Sequence, residues 1–146
     1  MDKIDRAIIA ELLRDGRISN VDLADKVNLT PGPCLRRVQR LEESGTILGY
    51  RAVVDPAALG RTFEVILDVD LNAFDRHSVY GFEDAMANFD EVTEIHRMFG
   101  SPDYFIRIAV NDLAAYEEFL SEHILTLPGI QKVASRFTMK TVKSPT

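Results

Sequence analysis

Between Phe63 and Leu71 the chain alternates: Phe63, Val65, Leu67, Val69 and Leu71 fall on one side, and Glu64, Ile66, Asp68 and Asp70 on the other. A period of two is the period of a strand, and three acids on one face mark a half-buried antiparallel strand. Such a strand needs neighbours to pair with and a layer to cover it, and the sequence after it supplies both. Val79, Phe82, Met86 and Phe89 repeat with helical spacing. Two strands follow, Val92 to Phe99 and Tyr104 to Val110, joined by Gly100-Ser101-Pro102-Asp103. Leu113, Tyr116, Leu120 and Ile124 predict a second helix that Leu127-Pro128-Gly129 stops, and a last strand runs from Ile130 to Val142. The order is βαββαβ, the ferredoxin-like arrangement. A weak internal repeat agrees with it: Val92, Ile95 and Phe99 have the spacing of Ile130, Val133 and Phe137. Helices cover only one face of such a sheet, and the mixed composition of the other face predicts a dimer.

The first third is built differently. Ile4, Ala7, Ile8 and Leu12, widened by Ile9 and Leu13, form the apolar face of a helix from about Asp2 to Arg14, which Asp15-Gly16 ends. Ser19 caps a short second helix, Asn20 to Lys26, that is expected to bury Val21, Leu23, Ala24 and Val27. Asn28-Leu29 is a tight turn, and Thr30 caps a third helix whose first residue, Pro31, needs no amide partner. In that helix Cys34, Val38 and Leu41 face the core with Leu35 beside them. Pro33, Arg37, Arg40 and Ser44 are expected opposite, with Arg36 adjoining.

Two short helices joined by a tight turn, the second basic on its outer side, define a helix-turn-helix. The major groove admits one helix, and arginine gives two parallel hydrogen bonds to guanine or phosphate. The helix N-terminus, polar or small from Thr30 to Gly32, adds amide donors where a phosphate can sit. The expected DNA contacts are therefore Thr30, Pro31, Gly32, Arg36, Arg37 and Arg40. Beyond Gly45, Ile47 to Asp55 reads as a strand ended by Pro56, serving as a wing or a hinge. The expected organisation is 1–55 for the DNA-binding domain with its trailing strand, 56–62 for a linker, and 63–146 for the βαββαβ domain.

A formal charge of −6 is unusual for a DNA binder until it is divided. Residues 1–60 carry nine basic and nine acidic side chains, whereas residues 61–146 carry eight and fourteen. All the excess acid lies in the second part, and screening limits its reach to roughly 10 Å. No apolar run is long enough for a membrane span, and the N-terminus lacks the pattern of a signal peptide. A lone cysteine, Cys34, reads as a small core residue and offers no disulfide, so the cytoplasm is the expected compartment. His77, His96 and His123 lack metal-ligand spacing, and no phosphate loop or activated nucleophile is present. Neither an enzyme nor a metal or other cofactor is expected.

The chain resembles the Lrp/AsnC family of bacterial and archaeal regulators from Asp5-Arg6 to about Lys143. The resemblance rests on Asp5-x-x-Ile8-x-x-x-Leu12, on Leu23-Ala24, and on Leu29-Thr30-Pro31-Gly32-Pro33-Cys34-Leu35-Arg36-Arg37-Val38-x-Arg40-Leu41-Glu42. Gly45-x-Ile47-x-Gly49-Tyr50 and Gly100-Ser101-Pro102-Asp103-Tyr104 extend it. It implies dimers that pair through their C-terminal sheets and assemble into tetramers or octamers. It also implies an amino-acid effector bound between dimers near the β-β loop, here Gly100 to Tyr104. Turn amides could take the effector carboxylate and Asp103 its ammonium, with Met98, Ser135 and Thr138 completing the pocket. The long match around Thr30 to Arg37 lies nearer the leucine-responsive branch and points to an apolar amino acid such as leucine or methionine.

The expected fold class is thus α+β, a winged helix-turn-helix followed by a ferredoxin-like effector and oligomerisation domain. The expected function is a DNA-binding transcription regulator that responds to an amino acid. An architectural DNA-binding protein without effector is the alternative, and a ferredoxin-like enzyme a more distant one.

Overall fold

The computed structural model describes residues 1–143. Two compact units divide the chain after Val53, each with its own core.

The first unit is three helices: α1 (Lys3–Arg14), α2 (Asn20–Lys26) and α3 (Pro31–Glu43). Asp2 and Asp5 form a reciprocal cap on α1, the Asp5 amide donating to Asp2 Oδ1 (2.9 Å) and the Asp2 amide to Asp5 Oδ2 (3.1 Å). Ser19 caps α2 by accepting from the Asp22 amide (3.1 Å). Thr30 occupies the N-cap of α3 without a side-chain cap bond, so Pro31 alone shapes that start. Asn28 turns the chain with φ 56°, a left-handed conformation that asparagine tolerates. Ile8, Leu23, Ala24, Val27, Cys34 and Leu41 form the core. Leu13, Val21 and Leu35, expected to be buried, are exposed. Three short helices enclose a core too small to cover them.

The strand expected over Ile47 to Asp55 does not form. A strand needs a neighbour for its backbone groups, and none is offered. Instead, Gly45 ends α3 with φ 69°, and the Ile47 amide turns back to the Leu41 carbonyl (2.9 Å). The Tyr50 hydroxyl then donates to Glu42 Oε1 (2.8 Å). Residues 51–60 are exposed throughout. Within the stretch expected as linker, Pro56–Leu59 forms a 3-10 turn capped by Asp55 and ended at Gly60.

The second unit is β1 (Phe63–Leu71), α4 (Arg76–Ala87), β2 (Val92–Arg97), β3 (Tyr104–Val110), α5 (Leu113–Phe119) and β4 (Ile130–Phe137). α5 runs on through a π turn, Leu120–Ile124. The strands form one antiparallel sheet in the order β2-β3-β1-β4. Val65, Leu67, Val69 and Leu71 face the helices and meet Val79, Phe82 and Met86 of α4 and Tyr116, Phe119 and Ile124 beyond. Leu113, at the first position of α5, is exposed, while Phe119 at its last position is buried in the core.

β2 ends at Arg97 and β4 at Phe137, both earlier than expected. The repeat accordingly holds in part. Phe137 packs at 5.3 Å from Phe63 and 5.9 Å from Tyr116, whereas Phe99 is fully exposed.

Within the described residues of this unit, both helices lie on one face of the sheet and leave the other uncovered. Ile66, Phe105, Ala109 and Ala134 lie there among two cross-strand ion pairs, Arg136 with Asp68 (2.9 Å) and Arg107 with Glu94 (3.2 Å).

Candidate nucleic-acid interface and effector loop

The exposed side of α3 follows from its helical phase. At about 100° per residue, Arg36 lies nearly opposite the direction of Cys34, Val38 and Leu41, while Arg37 lies only about 70° from it. The structure agrees: Gly32, Leu35, Arg36 and Gln39 are exposed, and Arg37 turns inward toward α1. The outward stripe is therefore rotated from the expected Pro33, Arg37, Arg40, Ser44 line. Thr30, Pro31 and Gly32 are exposed at the helix N-terminus, and the Arg36 guanidinium lies back beside Gly32. A Cβ at Gly32 would stand 3.7 Å from Arg36 Nη1. Asn20 Nδ2 donates to the Pro31 carbonyl (2.8 Å), tying the start of α2 to the start of α3.

Arg37 and Arg40 are held by α1. Arg37 Nη1 donates to Asp2 Oδ2 and to Asp5 Oδ1, both at 2.7 Å. Arg40 Nη2 lies 3.0 Å from each Asp5 oxygen. Asp5 is held below the usual carboxylate range, chiefly by its hydrogen bond from Arg37. Asp2 is pulled down to about 2, first by the Asp5 amide and then by Arg37. Both acids stay ionised beside the arginines. This cluster and the Asn20 tie were missed from the sequence, although the helical angle of Arg37 was a signal that it faces a neighbour.

The Gly100–Tyr104 loop joins β2 to β3. Gly100 sits at φ 117°, which only glycine adopts easily. Asp103 is already engaged: its Oδ2 accepts from the Leu71 amide (2.9 Å), its own amide donates to Asp70 Oδ1 (3.1 Å), and its carbonyl accepts from Met98 (2.8 Å). The loop is thereby pinned to the end of β1. Met98 and Ser101 are exposed beside it.

Tyr104 is fully buried, and its hydroxyl donates to Glu83 Oε1 (2.8 Å). Burial, with Glu83 beside it, pushes that hydroxyl well above the usual tyrosine range. It is a core residue and presents nothing to a ligand. Ser135 Oγ is 2.6 Å from the Tyr116 hydroxyl on the helix side of the sheet. Thr138 follows Phe137, which pairs with Val65, while the loop adjoins Tyr104, which pairs with Val69. Four residues of strand, about 13 Å, separate those two rows. Within one chain, Met98, Gly100, Ser101 and Asp103 come together; Ser135 and Thr138 do not join them.

Residues 1–47 match the family described as winged helix-turn-helix DNA-binding, and residues 64–146 match the Lrp/AsnC ligand binding domain. A DNA-reading head followed by a ligand-binding domain defines a transcription regulator rather than an enzyme. The chain is 40% identical over 143 residues to the leucine-responsive regulatory proteins of Klebsiella pneumoniae and Escherichia coli K12, spanning 98% of its own length and 87% of theirs. It belongs to the Lrp/AsnC family.

Solved structures agree. An AsnC family transcriptional regulator from Agrobacterium tumefaciens superposes with TM-score 0.92 at 35% identity, covering 99% of this chain and 94% of that one. A transcriptional regulator from Neisseria meningitidis, crystallised as its L-methionine complex, superposes with TM-score 0.93 at 28% identity, covering 99% and 93%.

Proposed function

We propose that this regulator reads DNA with the N-terminal half of α3 and responds to an apolar amino acid held at the Gly100–Asp103 loop. One observation carries the DNA reading: Arg36 is exposed on the side of α3 away from the core, beside the open N-terminus at Thr30, Pro31 and Gly32. The Thr30 and Gly32 amides there suit a phosphate, and a long guanidinium suits guanine. Arg40, 61% exposed at its side chain, serves a neighbouring phosphate.

The effector reading rests on the loop's chemistry and on the relatives. A regulator crystallised with L-methionine and a leucine-responsive protein both align over nearly the whole chain. Asp103 Oδ2 stays on the Leu71 amide, while Oδ1 accepts the effector ammonium. The amides of Gly100 and Ser101 take its carboxylate. Ser135 and Thr138 reach that pocket only from another subunit. The uncovered sheet face supports assembly through paired sheets, and the protein acts in the cytoplasm as a homo-oligomer. No helix among the described residues is long and apolar enough to cross a membrane.

The test has two arms. Arg36→Ala weakens binding to a selected duplex by about 1–3 kcal/mol in gel shift while the fold is kept. Calorimetry with the twenty amino acids gives heat from leucine, methionine or a similar apolar one. Unchanged binding in the first arm rejects α3 as reader, and silence in the second leaves an architectural protein without effector.

A further inference from the structure

Asp5 is, among the described residues, the one charged side chain that is buried, at 2% exposure. A carboxylate taken from water is costly unless opposite charge and hydrogen bonds replace its hydration. Here α3 supplies both, through Arg37 at 2.7 Å and Arg40 at 3.0 Å. The two arginines differ in what remains for DNA. Arg37 is 26% exposed and directs one nitrogen to two carboxylates. Arg40 is 61% exposed and meets Asp5 through Nη2 alone, so the rest of its fork faces solvent. Charge-assisted bonds, two on Arg37 Nη1 and two on Arg40 Nη2, hold each guanidinium in place against α1.

We propose that Asp5 is a positioning residue for DNA recognition: it fixes Arg37 as a strut between α1 and α3, withheld from DNA, and presents Arg40 to a phosphate. Sequence reading then falls to Arg36 and its neighbours. This rests on α3 being the reader, as proposed above. It makes α1 responsible for the angle at which α3 meets DNA.

The experiment uses the full chain, a duplex that the unaltered protein selects from a random pool, and an unrelated duplex. Affinity for both is followed by fluorescence anisotropy over a range of salt, with melting curves as the measure of folding. Arg37→Gln keeps the salt slope, because a side chain that touches no phosphate releases no counterion. It nevertheless lowers the ratio of selected to unrelated binding, because the strut is gone. Asp5→Asn steepens the slope by about one unit as a freed arginine finds phosphate, and lowers the same ratio about tenfold.

A slope flattened by about one unit in Arg37→Gln shows that Arg37 touches phosphate itself and overturns the proposal. So does a lowered melting midpoint with an unchanged ratio, which marks a merely structural ion pair. Should Asp5→Asn fail to fold, Arg37→Gln decides alone. Arg36→Ala runs beside them as the separate check on α3: if it binds normally, the reading of α3 falls and this inference with it. If it binds weakly while Arg37→Gln flattens the slope, only the positioning role is lost.

Discussion

Asp103 carries two demands, and one substitution separates them. Its Oδ2 holds the Leu71 amide, and an asparagine carbonyl can take that bond over. Asp103→Asn therefore keeps the loop and its fold but removes the charge proposed to meet the effector ammonium. Effector affinity should fall by about 1.5–3 kcal/mol, tenfold to a hundredfold, by calorimetry. Undiminished affinity would put the pocket elsewhere. Asp2 gives a second residue-scale expectation. Its folded pKa of about 2 lies below the 3.8 of an unperturbed aspartate, so its contribution to stability is complete above about pH 3.8 and is lost as pH falls toward 2. Asp2→Asn keeps the cap on the Asp5 amide and should shallow that acid limb in denaturant titrations; an identical limb would contradict the assignment. The sequence showed Asp103 and Arg36 as residues of interest. It hid the Asp5 cluster, because partners 32 and 35 positions away are not a local pattern. It also made Tyr104 look available, since motif position carries no information about burial.

At the scale of elements, periodicity was readable wherever packing enforces it. The alternation of β1 and the spacing of Val79, Phe82 and Met86 on α4 became buried faces, because the sheet and helices cover each other. Ile47 to Asp55 had strand-like composition and no neighbour, and composition cannot provide one. Leu35 was misplaced for a related reason: at about 100° past Cys34 it sits at the edge of the core stripe, where only neighbouring helices decide burial. Substitutions should separate these two kinds of position. Leu67→Ala, at a fully buried site in β1, should cost about 2–5 kcal/mol in chemical denaturation. Leu35→Ala, 45% exposed, should stay within about 0.5 kcal/mol. Equal losses would mean that Leu35 is covered in solution.

For the whole molecule, the sheet face is the surface proposed above for assembly. Ile66 and Phe105 are half-buried there while their neighbours are paired ions, a composition suited to contact with a like surface. A chain beginning at Val54 should run as a dimer or larger in light scattering, because the face belongs entirely to the second unit and apolar burial drives the association. A folded, single-subunit mass would remove the sheet as an interface. The acidic surplus of that unit is partly met within the face, where opposite charges pair at 2.9 and 3.2 Å. The ten exposed residues from Arg51 to Gly60 have a different consequence, one of inheritance. Neither core borrows a side chain across that seam. A crossover or a change of length there leaves both halves able to fold, so descent can couple one DNA-reading head to a succession of sensors, each changing under its own selection.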